Sequence, residues 1–201
     1  MRVIYLFLLA FLFSCSGSNT QQAETLDEKW EEFLSITSWV MFTNDASKVE
    51  QALEDINNML ERDGERYIIN LFYVKAQLLF RLHRHTEALE ALNKTQFNHD
   101  VQKAALHILI GKEKEAQIIL DGFLASYIES INTEVDDIEE THIGILVLTS
   151  LLLERSFGDI LKDITNPGLD ATMLYEWMEN SDGLSRESIL ESMWPPGISV
   201  E

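Results

Sequence analysis

Apolar residues recur at intervals of three and four along most of the chain, the spacing that lines up one face of an α-helix. Val49, Leu53, Ile56 and Leu60 form the clearest stripe, with Asn44-Asp45 as its cap and Asp63-Gly64 as its stop. Before it, Thr25-Leu26-Asp27-Glu28 reads as a capping box, Glu28 reaching back to the Thr25 amide. The helix so opened runs to about Phe42 and sets Leu26, Trp30, Phe33, Leu34 and Val40 along one face. After it, the pattern predicts a helix over Tyr67–Leu82 and a turn at His83-Arg84-His85. A further helix, capped by Thr86, carries Ala88, Leu89 and Leu92.

Asp100 is placed to cap a helix over Val101–Ile110 that Gly111 stops. The next helix, Lys112 to about Ile131, turns Ala116, Ile119, Leu120, Phe123, Leu124 and Tyr127 inward. Ile143–Leu153 has almost no polar face, so it belongs in the middle of the packing; it is too short to span a bilayer. Shorter helices are predicted over Asp159–Ile164, Asp170–Asn180 and Ser185–Met193, and Trp194-Pro195-Pro196-Gly197 cannot be helical throughout. No alternating strand pattern stands out. The expected fold is all-α, a set of helical hairpins packed as a short α-solenoid or a helical bundle over residues 25–201.

Two hairpins can be laid over each other. Ala76-Gln77-Leu78-Leu79 through His85-Thr86-Glu87-Ala88-Leu89 to Leu92 corresponds to Ala104-Ala105-Leu106-His107 through Glu113-Lys114-Glu115-Ala116-Gln117 to Leu120. Ala76 and Ala104 permit close helix approach, and Ala88 and Ala116 do so from the second helix of each pair. Phe72, Ala76, Leu79, Ala88 and Leu92 match about one repeat of the tetratricopeptide family, which this stretch resembles, and Gly111 fits that family's turn glycine. The copies lie closer together than the ~34-residue period of the family, His83 stands at the first turn, and no proline closes either unit. The resemblance covers roughly residues 70–124 and implies a scaffold that binds peptide segments or partner proteins along a groove. A bundle whose hairpins reach this spacing by packing alone is the other reading.

The first residues carry a different message. Behind one charge, Arg2, Val3–Phe13 has no polar side chain apart from Tyr5. As a helix this run spans ~16 Å, about half a hydrocarbon core, and it shows no polar face to suit a buried N-terminal helix. A positive start, a short apolar region and small residues describe a secretory signal. Its end, Leu12-Phe13-Ser14-Cys15, resembles the lipobox of bacterial lipoproteins through Leu12, Ser14 and Cys15. That resemblance implies removal of residues 1–14 and lipidation of Cys15. Ser16, where inner-membrane lipoproteins typically carry Asp, implies the outer membrane, periplasmic face. Stable anchoring takes two or more acyl chains. Residues 15–24 then read as a tether, Ser16–Glu24 having a Gaussian reach of ~15 Å.

Charge narrows the partners. The formal net charge is −19, and loss of Arg2 with the signal makes it one unit more negative. A surface so acidic repels nucleic acid and anionic headgroups; it suits a basic partner or divalent cations, with plain solubility the simplest account. Hydrophobic residues make up 46% of the chain, which excludes wholesale disorder. With its one cysteine lipidated, the mature chain has no thiol for a disulfide and relies on its core.

Candidate chemistry is sparse. The chain has no glycine-framed serine, no dinucleotide fingerprint and no phosphate loop. His83 and His85 alternate across a turn and could share a metal with His99 or His107, though solvated turn histidines are far commoner. Glu134, Asp136, Asp137, Glu139 and Glu140 lack the EF-hand spacing and suit the positive end of the helix that follows. Trp177, Met178, Met193 and Trp194 read either as an exposed recognition patch or, better, as core and tail packing. The expected function is non-enzymatic and needs no cofactor: a lipid-anchored periplasmic adaptor or assembly factor that binds an envelope protein. The alternative is a solute-binding component with a small ligand between its helices; a hydrolase would need a buried carboxylate or His pair in a cleft.

Overall fold

The computed structural model describes residues 31, 33–37, 39–63, 68–95, 97–134, 140–166 and 185–198. Among these the regular structure is helical and no strand occurs, so the protein is all-α. The signal, Cys15, the tether, the Thr25 capping box, the acidic stretch between Glu134 and Glu140, and Trp177 and Met178 lie outside the residues whose side chains are described. The chain divides into two units, residues 1–38 and 39–201. In the first, residues 31 and 33–37 are helical, and the buried Thr37 hydroxyl donates to the Phe33 carbonyl at 2.8 Å. Leu34, expected on the apolar face, is 42% exposed.

The second unit contains α1 (Ala46–Asp63), α2 (Ile68–Arg81), α3 (His85–Leu92), α4 (Asp100–Leu109), α5 (Glu113–Glu134), α6 (Glu140–Leu152), α7 (Phe157–Leu161) and α8 (Arg186–Ser192). Asp45 caps α1 as the sequence predicts, its Oδ1 accepting from the Ser47 amide at 3.1 Å and the Ser47 hydroxyl at 2.7 Å. Val49, Ala52, Leu53, Ile56 and Met59 form its buried face, with Leu60 at the margin. Ser185 caps α8 through a capping box with Ser188.

Three helix starts differ from expectation. Thr86 lies inside α3 and Arg84 holds the N-cap position, because the preceding turn closes two residues sooner. His99, not Asp100, precedes α4; the Asn98 side chain accepts from the Asp100 amide at 2.9 Å and so satisfies an orphan donor. The helix expected to begin at Asp159 begins at Phe157, with Ser156 at its N-cap.

α2–α3, α4–α5 and α6–α7 are helical hairpins, each packed on the next through α3 against α4 and α5 against α6, with α8 laid on α6. All three turns share one device. His83 (φ 57°), Gly111 (φ 76°) and Glu154 (φ 54°) are left-handed. The amide after each reaches back six residues inclusive: Arg84 to Leu79, Lys112 to His107 and Arg155 to Ser150, at 2.9, 2.8 and 3.0 Å. These bonds satisfy carbonyls at the helix ends.

The apolar α6 lies centrally, as expected. Ile143, Leu146 and Val147 pack with Leu124, Ile128, Ile131, Ile160 and Ile164 in one core cluster. Leu152 joins Val101, Ala104, Ala105, Ala116, Leu120, Ile189 and Leu190 in another. The buried hydroxyls of Thr149 and Ser150 donate to Ile145 and Val147 carbonyls one turn back, so this helix buries no unpaired hydroxyl there.

After α8 the chain returns to the end of α2. Trp194 is 3% exposed and stacks on Phe80 with ring centroids 4.8 Å apart. Arg81, though charged, is fully buried. Its Nε donates to the Pro196 carbonyl at 2.9 Å, and its Nη1 and Nη2 donate to the carbonyls of Val40 and Thr43. One guanidinium thus ties together three segments remote in sequence. Burial without a facing carboxylate pushes it below the usual arginine range. The Trp194 indole N–H is buried with no hydrogen-bond partner among the described residues, an orphan donor worth roughly 1–3 kcal/mol against the packed arrangement.

Candidate binding surface

The residues singled out as repeat packing positions fall in the interior of the hairpins. Ala76, Leu79, Ala88, Leu92, Ala104, Ala116 and Leu120 are all buried to within 1%. Phe72 is half-buried with the Lys94 ammonium 5.5 Å from its ring centroid. These side chains hold the helices together and leave little of themselves to a partner. A binding surface must therefore use other positions.

The histidines do not converge. His83 and His85 meet edge to face at 6.1 Å, but His99 stacks on Tyr73 at 4.7 Å and the buried His107 Nδ1 has no hydrogen-bond partner among the described residues. Burial, more than the neighbouring His83, Lys103 and Lys112, holds His85, His99 and His107 below the ordinary imidazole range. Among the described residues, no three His, Cys, Asp or Glu side chains come together as a ligand set. Trp194 is core rather than patch, and Met193 is half-buried beside Ile189 and Leu190.

Two depressions lie open to solvent. One, about 580 Å³, runs along α1 and is lined by Ser47, Glu50, Gln51, Leu53, Glu54, Asn57 and Arg84. Its Arg84 is engaged internally, with two bonds to Glu87 at 2.7 and 2.5 Å and one to Glu50 at 3.3 Å. Nearby, Lys75 donates to the Asn57 side chain at 2.6 Å, and burial, followed by the Lys94 charge, pushes its ammonium down.

The other, about 370 Å³, lies between the start of α4 and α5 and is lined by Asn98, Asp100, Ile118, Ile119, Gly122, Phe123 and Ser126. Ile118 is 72% exposed, and Phe97, just before the groove, is 54% exposed. A Cβ at Gly122 would meet nothing within 4 Å, so the backbone itself is open there. Gly in a helix interior costs about 1 kcal/mol relative to Ala, and no internal contact at this position calls for it. Glu115, Ile118, Gly122, Ser126 and Glu129 are all exposed and share one face of α5. The result is one exposed isoleucine beside bare helix backbone, with a carboxylate at each end of the face, about 21 Å apart at 1.5 Å per residue. Beside it Phe123 stacks on Tyr127 at 5.5 Å, and burial pushes the Tyr127 phenol up to about 12. The sequence pattern places Ala116, Leu120 and Leu124 inward and leaves Ile118 on the far side of the helix, but carries no cue to the groove it lines.

No protein-family model, curated protein or solved structure matches this chain. Among the described residues, no helix is long and apolar enough to cross a membrane.

Proposed function

We propose that this protein is a lipid-anchored adaptor of the bacterial envelope, held at the periplasmic face of the outer membrane through Cys15. Its helical hairpins, of tetratricopeptide-like character, present the α5 groove to a basic, amphipathic protein segment. The observation that carries this reading is the α5 groove lined by Ile118, Ile119 and Phe123, with Ile118 72% exposed between Glu115 and Glu129. An apolar floor with carboxylates at both ends complements a segment with one apolar face and flanking cations, and the net charge of −19 steers such a segment in. The groove's openness suits a macromolecular segment better than an enclosed solute.

A labelled helical peptide of alternating Leu and Lys composition tests the groove by fluorescence anisotropy against its Leu/Glu counterpart. The Leu/Lys peptide should bind the native chain and lose at least tenfold in affinity to Ile118→Glu, even though that variant is more acidic. Equal or tighter binding by Ile118→Glu would place the interaction elsewhere. For the anchor, the native protein should sediment with membranes and Cys15→Ser should not; a variant that still sediments would overturn it.

A further inference from the structure

The α2 end is occupied by a non-helical segment from the far end of the chain, and the contacts resemble those of a bound peptide. Trp194 lies flat on Phe80, the planes 10° apart. The Pro196 carbonyl accepts from Arg81 Nε at 2.9 Å. The Ile198 amide donates to the Arg81 carbonyl at 3.1 Å, and the Ile198 carbonyl accepts from His83 Nε2 at 3.1 Å. Gly197 is pressed against the His83 imidazole, where an added Cβ would sit 3.0 Å from Cε1.

We propose that this place is a recognition site for an extended segment led by an aromatic residue and two prolines. In this chain the site is filled by Trp194–Ile198, which detaches so that a segment of the same chemistry from another protein takes it. The requirements can be read position by position. An aromatic ring covers Phe80, and two prolines need no amide partner. A carbonyl meets Arg81, a glycine clears His83, and one residue is read through both its amide and its carbonyl. Main-chain bonds with a single aromatic anchor are how extended segments are recognised, and prolines lower the ordering cost.

Two features of the site favour exchange over permanent closure. The Trp194 N–H is buried with no partner among the described residues, so a phenylalanine in its place would stack on Phe80 without stranding a donor. The segment is also held by a few bonds at helix ends rather than within a helix, the kind of element that opens without global unfolding. This site lies on α2 and involves none of the α5 groove residues, so the two readings stand or fall separately.

The probe is labelled Phe-Pro-Pro-Gly-Ile peptide, offered to the full-length native chain and to full-length Trp194→Ala. Because the native site is free only in the fraction of molecules with the segment detached, apparent affinity is reduced by that fraction. Trp194→Ala should bind at least tenfold tighter than the native chain, and Ile118→Glu should bind as the native chain does. A folded Trp194→Ala, checked by circular dichroism, that binds no better would overturn the proposal. Should that variant not fold, amide exchange in the native chain decides: the Ile198 amide should exchange at least a hundredfold faster than the Leu79 and Leu120 amides. An Ile198 amide that exchanges only at the core rate would show a permanent part of the core and overturn the proposal.

Discussion

The α2–α3 and α4–α5 hairpins are built on the same turn yet end in opposite conditions. Both close through a left-handed residue and a six-residue backbone bond, His83 with Arg84 to Leu79 and Gly111 with Lys112 to His107. Equivalent positions in the two hairpins then diverge. Arg81 is fully buried and holds three carbonyls, whereas Leu109 at the matching place is 36% exposed. His83 grips Ile198, whereas Gly111 has no side chain and nothing within 4 Å of where one would be. The backbone device thus sets where the chain reverses, and side chains at the turn decide whether the end of the hairpin is covered or bare. A shared repeat geometry does not bring a shared surface.

The largest test of that contrast removes the guanidinium. Arg81→Met takes the donor from one buried and two part-buried carbonyls and should cost about 3 kcal/mol in urea unfolding. Leu109→Ala removes a side chain already part-exposed and should cost under about 1 kcal/mol. Equal losses for the two would abolish the distinction drawn here. At the turns themselves, Gly111→Ala has ample space but the wrong backbone sign, so it should lose about 1 kcal/mol. His83→Gly relieves the same kind of strain while deleting the bond to Ile198. Its net stability should therefore stay within about 0.5 kcal/mol of native, with faster exchange at the Ile198 amide. A large loss would mean that the imidazole does more than grip the tail.

The smallest effect is electrostatic. Burial first, and His83 second, hold His85 below its ordinary value of 6.5. As pH falls, the unfolded chain takes up this proton before the folded one, so the contribution is complete above about 6.5 and fades as pH drops through the folded value. Between about pH 7 and about pH 5 the native melting temperature should fall further than that of His85→Gln. Identical slopes would show that this turn does not feel its histidine pair.

Helical periodicity made the α1, α2, α4 and α5 stripes legible, and the near absence of polar positions in Ile143–Leu153 marked the central helix. Both are one-dimensional signals: a helix buries residues by spacing, and a helix with no polar face has nowhere else to go. The third hairpin was less visible, because its turn uses Glu154 instead of glycine and its second helix lacks the paired alanines. The caps at Arg84 and His99 are not legible for a local reason, since a turn closing two residues early or an Asx bond moves a cap without changing the apolar pattern.

The sequence by itself determined the helical class, the hairpin order and the interior alanines, because these follow from residue types at fixed short intervals. Only the tertiary structure decided that Arg81 is interior, that Trp194 stacks on Phe80 and that Ile118 borders a groove with Asn98 and Asp100. Arg81 and Pro196 are 115 residues apart, and no local pattern encodes which carbonyl a distant segment will bring. An isoleucine opposite a helical stripe likewise says nothing of which distant residues will flank it. Burial is a property of what arrives at a position, not of the residue alone.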